Sequence, residues 1–244
     1  MKIVGVTGNI GSGKSTFCKI FEEKYKIPVL YTDILAKEII KTNTSLRYKI
    51  AHLLGNKVFD DNGLIKRKII FEKVFTNKEL LDKFNNMFKP YLVEEIDKWV
   101  KNEQLNNNSP YIIIESALIF EVEMENKFDY VFFVDCPLHW RIQRASKRTG
   151  VTEENVRLIN DCQMNTYQKS KKADFVINNN SDLTALEAKV EFYHQALIGV
   201  YGLLVKPKLQ VLPTKKGTPV ITTVSEYPDY KIGNYKLPPD DKSI

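Results

Sequence analysis

The sequence predicts an α/β protein in which helices cover both faces of a parallel sheet. Three observations predict it. The chain opens strand–loop–helix–strand within its first 31 residues. Three later runs rich in Val, Ile, Phe and Tyr (111–114, 130–134, 175–177) alternate with long segments of helical period. The 244 residues, 43% hydrophobic and 27% charged, suffice to bury one large core.

The first strand is Lys2–Thr7, a short apolar run that ends in a glycine-rich turn. Residues 14–26 place Phe17, Ile20 and Phe21 on one helical face, and Lys26 and Pro28 end that helix. Ile27–Tyr31 is the second strand; a strand–helix–strand crossover makes the pair parallel. From Ile34 to about Val100 the period is helical, with breaks expected at Asn43, Gly55–Asn56, residues 60–63 and Pro90. Phe84 and Phe88 read as core of that segment, and Asn102–Pro110 as a loop. Residues 138–149 and 152–172 read as two helices, the second capped by Thr152 with Glu153 and Glu154 in its first turn. Phe175–Ile177 is the last core strand and Asp182–Leu204 a closing helix. Near Val205 the composition changes: six of the ten prolines fall in the last forty residues. That divides the chain into a core, 1–205, and an extension, 206–244, where Val220–Val224 and Tyr230–Leu237 could form short strands.

The net charge is +6, but 30 of the 36 cationic side chains are lysines spread along the whole chain, beside 19 asparagines. Dispersed lysines are solvated faces, which argues against nucleic acid as a partner and leaves the residual field to anionic ligands. No apolar run has the length of a membrane span, and MKIVGVTG is not a secretory leader. Three scattered cysteines without C-x-x-C spacing argue against a disulfide or metal framework and for a reducing, cytoplasmic compartment.

The chemistry concentrates in Gly8-Asn9-Ile10-Gly11-Ser12-Gly13-Lys14-Ser15, a complete G-x-x-x-x-G-K-S between a predicted strand and a predicted helix. Its glycines let successive N–H groups converge on a phosphate, with Lys14 on the β- and γ-phosphates and the Ser15 hydroxyl on Mg²⁺. The residues from Gly8 through Thr16 are therefore expected to bind ATP. Asp33 follows the second strand, where ligands gather in parallel sheets. It either orients or deprotonates an acceptor hydroxyl or caps a helix beginning at Ile34. Glu115 ends the third strand, as a Mg²⁺-holding acid or as a surface charge. Arg141, Arg144 and Arg148, three of only six arginines, are spaced to share one helical face. They suit transferring phosphates, or form a solvated face. Lys169, Lys171 and Lys172 read as a surface run, and Trp99 and Trp140 as packing residues.

These motifs resemble the dephospho-CoA kinase family over about residues 1–200. The matches are VTGNIGSGKST at the loop, Asp33 in a D-x-D position, Gly63–Arg67, Val74–Asn77 and Ser116–Glu121. Arg144 and Arg148 match an R-x-x-x-R, and Gln163 and Ala173–Asn179 the family's closing segment. The resemblance implies a three-layer P-loop α/β/α kinase with a helical acceptor-binding insertion (about 60–100) and an arginine-bearing lid (about 138–172). It implies transfer of the ATP γ-phosphoryl group to the 3′-hydroxyl of dephospho-CoA. Lys14, Asp33, Arg144 and Arg148 would be catalytic; Asp33, Arg67 and Lys89 would meet the acceptor; Ser15 and Glu115 would hold Mg²⁺. Tyr31 stands where the family has the first acid of D-x-D, Lys89 where it has histidine, Ala117 where it has proline, and Arg141 where it has glutamine. Those departures keep a (deoxy)nucleoside monophosphate open as the alternative acceptor.

Overall fold

In the computed structural model, β1 (Lys2–Thr7), β2 (Val29–Tyr31), β3 (Tyr111–Glu115), β4 (Tyr130–Asp135) and β5 (Phe175–Asn178) form one parallel sheet, in the order β2–β3–β1–β4–β5. The structure describes residues 1–60, 63–147, 151–199, 209–212 and 220–223. Central β1 pairs with β3 on one side, Val6 beside Glu115, and with β4 on the other, Val6 beside Phe132. The chain therefore leaves β1 between strands that it visits only much later. That reversal of strand order opens a crevice at the carboxyl edge of the sheet.

One face of the sheet is covered by α1 (Lys14–Tyr25) and α9 (Leu183–Leu197). Phe17, Phe21, Phe132, Leu186 and Val190 are buried together there. Phe17 lies edge-on to Phe21 at 5.1 Å and 6.3 Å from Phe132. Because α1 carries the glycine-rich loop on its N-terminus, this packing also fixes the loop. Phe17→Ala is expected to cost about 3–5 kcal/mol, the usual penalty for deleting a buried phenyl ring. It should appear as a lower urea midpoint at unchanged slope; superimposable unfolding curves would contradict it.

The other face carries α2 (Thr32–Thr42), α3 (Thr44–Leu54), α4 (Arg67–Val74) and α5 (Lys78–Asn106). Leu46, Ile50, Phe88, Leu92 and Ile96 pack there against Ile114 of the sheet. The break between α2 and α3 falls at Asn43, whose side chain accepts a hydrogen bond from Leu46 N at 2.9 Å. Pro90, expected to end a helix, lies inside α5 instead. Leu81 and Phe88 before it, and Leu92 and Ile96 after it, are buried in one cluster. Burial on both sides outweighs the roughly 3 kcal/mol that an interior proline costs. The loop expected from Asn102 starts later, because Asn106–Asn102 and Asn107–Glu103 side-chain bonds (2.8 and 3.0 Å) sustain the last turn.

Three short helices connect β4 to β5: α6 (Leu138–Ser146), α7 (Glu153–Cys162) and α8 (Thr166–Lys172). The single helix expected over 152–172 is two. Gln163 is extended, and the Asn165 side chain caps α8 by accepting from Gln168 N at 2.8 Å. Thr152 caps α7 as expected, accepting from Asn155 N. Trp99 packs on the helical cluster. Trp140, expected to pack, is 41% exposed, since α6 buries its Arg141–Ile142–Ala145 side. Met1–Leu204 forms one compact unit and Val205–Ile244 a second. In the second, β6 (Leu209–Leu212) and β7 (Val220–Thr223) pair antiparallel, while the Tyr230–Leu237 expectation lies outside the described residues. Among the described residues, no helix is long and apolar enough to cross a membrane.

Candidate active site

Between β1 and α1 the backbone passes through the left-handed region twice, at Gly11 (φ +77°) and Gly13 (φ +92°). A Cβ at Gly11 would collide with the Arg141 carbonyl oxygen, and one at Gly13 with the Asn179 side-chain amide. Glycine is thus required for the turn and for the close backing by α6 and by the segment after β5. Gly13 is the N-cap of α1, with no side-chain cap and no acid in the first turn. The first N–H groups and the positive end of the helix dipole are left for an anion. The outer rim of the loop is already committed. Ile10 N donates to Gln163 Oε1 (2.9 Å), Asn9 Nδ2 to Met164 O (3.2 Å), and Asn179 Nδ2 to Ser12 O (2.8 Å).

Glu115, 2% exposed at the end of β3, faces Lys14, with Nζ 3.4 Å from Oε1. That is ion-pair distance, and Oε1 has no hydrogen-bond partner. Burial pushes the Glu115 carboxyl up, Lys14 pulls it back, the charge of Asp33 pushes it up again, and the nearby Ser15 hydroxyl draws it down. Lys14, Ser15, Glu115 and Asp33 are therefore electrostatic neighbours. Asp33 is exposed. It does not cap a helix from Ile34: α2 starts at Thr32 with Tyr31 as its N-cap, which places Asp33 in the first turn. Tyr31 packs on the α1 face, its hydroxyl donating to Glu22 at 2.9 Å.

The arginines divide. Arg141 is buried, its Nε donating to Cys136 O (2.9 Å) and its Nη1 to Asn160 Oδ1 (2.7 Å). It holds α6 to α7 and is not part of a solvated face. Arg144 Nη1 donates to Asn179 O (3.0 Å) and lies 3.8 Å from where a Cβ on Gly13 would stand, at the loop itself. Arg148 and the Arg67 side chain lie outside the described residues; the backbone of Arg67 opens α4. Lys89 lies beside buried Phe88 on α5, in the helical layer. The structure thus brings together Lys14, Ser15, Glu115, Asp33 and Arg144.

Lys169, expected at the surface, is fully buried, its Nζ 2.8 Å from Glu121 and donating to Ala117 O at 2.9 Å. Its neighbours Lys171 and Lys172 are exposed, as expected. The bracing roles of Gln163, Met164 and Asn179 carried no local signal beyond their place in the closing segment. A cavity of about 400 Å³ opens where Arg141 backs the loop, lined by Cys136, Leu138, Arg141, Thr166, Asn178 and Asn180 among others. Among the described residues no group of three His, Cys, Asp or Glu is arranged to hold a metal alone, so a cation here would need ligand oxygens as well.

The model of a family described as dephospho-CoA kinase matches residues 2–185. A dephospho-CoA kinase of Idiomarina loihiensis is 33% identical over 193 residues, covering 79% of this chain and 93% of that one. One of Fusobacterium nucleatum is 34% identical, covering 80% and 98%. A crystal structure from Thermus thermophilus superposes with a TM-score of 0.64 at 27% identity, covering 79% of this chain and 96% of that one. The structure of a Campylobacter jejuni dephospho-CoA kinase (TM-score 0.57, 24% identity, coverage 80% and 96%) shares the fold.

Proposed function

The chain belongs to the dephospho-CoA kinase family, and from that membership we propose how its residues carry out the transfer of the ATP γ-phosphoryl group to the 3′-hydroxyl of dephospho-CoA. The observation that carries the reading is the meeting of an uncapped helix N-terminus, the Lys14–Glu115 pair and Arg144 around one glycine-rich loop. Phosphoryl transfer leaves the protein little covalent work: it aligns the acceptor oxygen with the bridging oxygen and stabilises charge.

The free N–H groups from Gly13 to Thr16 cradle the β- and γ-phosphates. Lys14 reaches the γ-phosphate from its seat beside Glu115. Arg144, already at Gly13, takes charge that develops on the transferred group. The 3′-oxygen forms the new P–O bond while the bond from phosphorus to the β,γ-bridging oxygen breaks. ADP leaves, and the hydroxyl proton passes to the Asp33 carboxylate. The buried Glu115 carboxylate, whose Oε1 faces Lys14 but accepts no hydrogen bond, and the nearby Ser15 hydroxyl fit a divalent cation. Mg²⁺ held there neutralises phosphate charge when bound. We seat the adenine in the cavity between Leu138 and the pair Asn178 and Asn180, whose wall at Arg141 is shared with the loop.

Residues 1–205 are then the kinase core. The acceptor binds against the helical layer, within about 60–100, where Arg67 and Lys89 reside. The segment 138–172, whose sequence carries Arg144 and Arg148, is the lid. Because Tyr31 turns onto α1, its departure from the family pattern sits away from the acceptor side and leaves Asp33 as the acid that faces it.

The test offers the purified protein Mg-ATP with dephospho-CoA, then with each (deoxy)nucleoside monophosphate, and follows ADP release. Release is expected with dephospho-CoA, yielding CoA. Turnover with a monophosphate and none with dephospho-CoA would reassign the acceptor; release with neither would leave a nucleotide-binding protein.

A further inference from the structure

We propose that the buried Glu121–Lys169 pair is a positioning unit for the ATP loop, acting through the junction between α7 and α8. The inference rests on reading that loop as the ATP site.

The connection is continuous. Lys169 Nζ lies 2.8 Å from Glu121 Oε1 and donates to Ala117 O, so α8 is fastened to the segment that follows β3. Glu121 Oε1 also accepts from Met164 N at 3.0 Å. That bond holds Gln163 and Met164, the first two of the three residues between α7 and α8. The same two residues grip the loop: Gln163 Oε1 accepts from Ile10 N and Met164 O from Asn9 Nδ2. An ion pair is thus linked to the outer rim of the phosphate loop through one peptide unit.

A bland core role explains the pair less well. A lysine with no exposed surface is costly, and apolar side chains of equal volume commonly replace buried ion pairs without loss of stability. Burial pulls the Lys169 ammonium down and Glu121 pushes it back up; Lys14 and Arg141 pull it down further. Lys169 therefore shares the field of Lys14 while being too buried to touch a ligand. It is suited to hold the loop, not to meet ATP. Lys14 and Lys169 repel each other, and Glu121 compensates on one side as Glu115 does on the other.

The test measures Mg-ATP affinity by titration calorimetry, alongside steady-state KM values, for Lys169→Met, Gln163→Ala and the double variant. Each single change is expected to weaken Mg-ATP binding about 10-fold, with KM for dephospho-CoA within about 2-fold. The double variant should be no weaker than the poorer single one, because both act through one link. Lys169→Arg should restore affinity to within about 3-fold of the parent. Unchanged affinity in folded Lys169→Met, or losses that multiply in the double variant, would overturn the inference. If Lys169→Met does not fold because it strands the Glu121 charge, Lys169→Met with Glu121→Leu replaces it; both charges and the acceptor for Met164 N are then gone, and unchanged Mg-ATP affinity there is equally decisive against the proposal. Because nucleotide affinity is read without an acceptor, a different acceptor would not disturb this test. Failure of the parent protein to bind Mg-ATP would instead sink the reading on which it rests.

Discussion

Lys14→Ala is expected to lower kcat/KM by about 10³-fold or more, the scale of losing a preorganised charge at the transferred group. The loss has two sources that further variants separate. The first is the missing ammonium at the γ-phosphate. The second is Glu115, which at 2% exposure would be left without its cation. A carboxylate stranded there either repels the incoming phosphates or takes up a proton, and burial already pushes it toward the protonated form. Lys14→Ala with Glu115→Gln removes the stranded charge. If repulsion contributed, the double variant binds nucleotide better than Lys14→Ala while remaining inactive, since neither the ammonium nor the carboxylate proposed to hold the cation is restored. Nucleotide affinity by calorimetry and ADP release by a coupled assay read the two effects apart. Full activity in folded Lys14→Ala protein would mean that the loop is not the phosphate site.

The elements that fix this site were legible because their causes are local. The loop advertises itself through glycine positions that a Cβ cannot occupy, and Gly11 and Gly13 do adopt left-handed backbone. The buried strands advertise themselves by unbroken apolar runs, and β3 is buried along its whole length. What could not be read depends on partners distant in sequence. Lys169 sits in a run of lysines, and nothing local separates it from exposed Lys171; its partner Glu121 lies 48 positions earlier. Pro90 carries a local cost to a helix, and apolar burial on both sides of it overcomes that cost. The Gln163–Asn165 break was hidden because its neighbours keep helical propensity, and only the Asn165 cap and the grip on the loop make it a junction. Asp33 falls between these cases. Its place after β2 was legible, but its role turned on whether α2 began at Thr32 or at Ile34.

That boundary gives Asp33→Asn its diagnostic value. With Tyr31 as the cap, Asp33 owes α2 only the favourable placement of an acid in the first turn, worth about 0.3–1 kcal/mol. Losing that much shifts a melting temperature slightly and leaves catalysis intact. As the base that receives the 3′-hydroxyl proton, Asp33 has far more to lose: kcat is expected to fall about 10²-fold or more, with Mg-ATP affinity unchanged or improved. The improvement follows from the electrostatics. Asp33 acts on the Glu115 carboxyl beside the loop, so removing its charge takes one source of repulsion away from the anionic nucleotide. A slower enzyme that binds Mg-ATP as well as the parent cannot have lost its metal site, and the defect must lie with the acceptor oxygen. Measuring kcat, KM for dephospho-CoA and Mg-ATP affinity on one preparation decides the matter. A near-parental kcat would reduce Asp33 to a partner of the helix dipole, and the proton would then have to leave with solvent or with a phosphate oxygen of ATP.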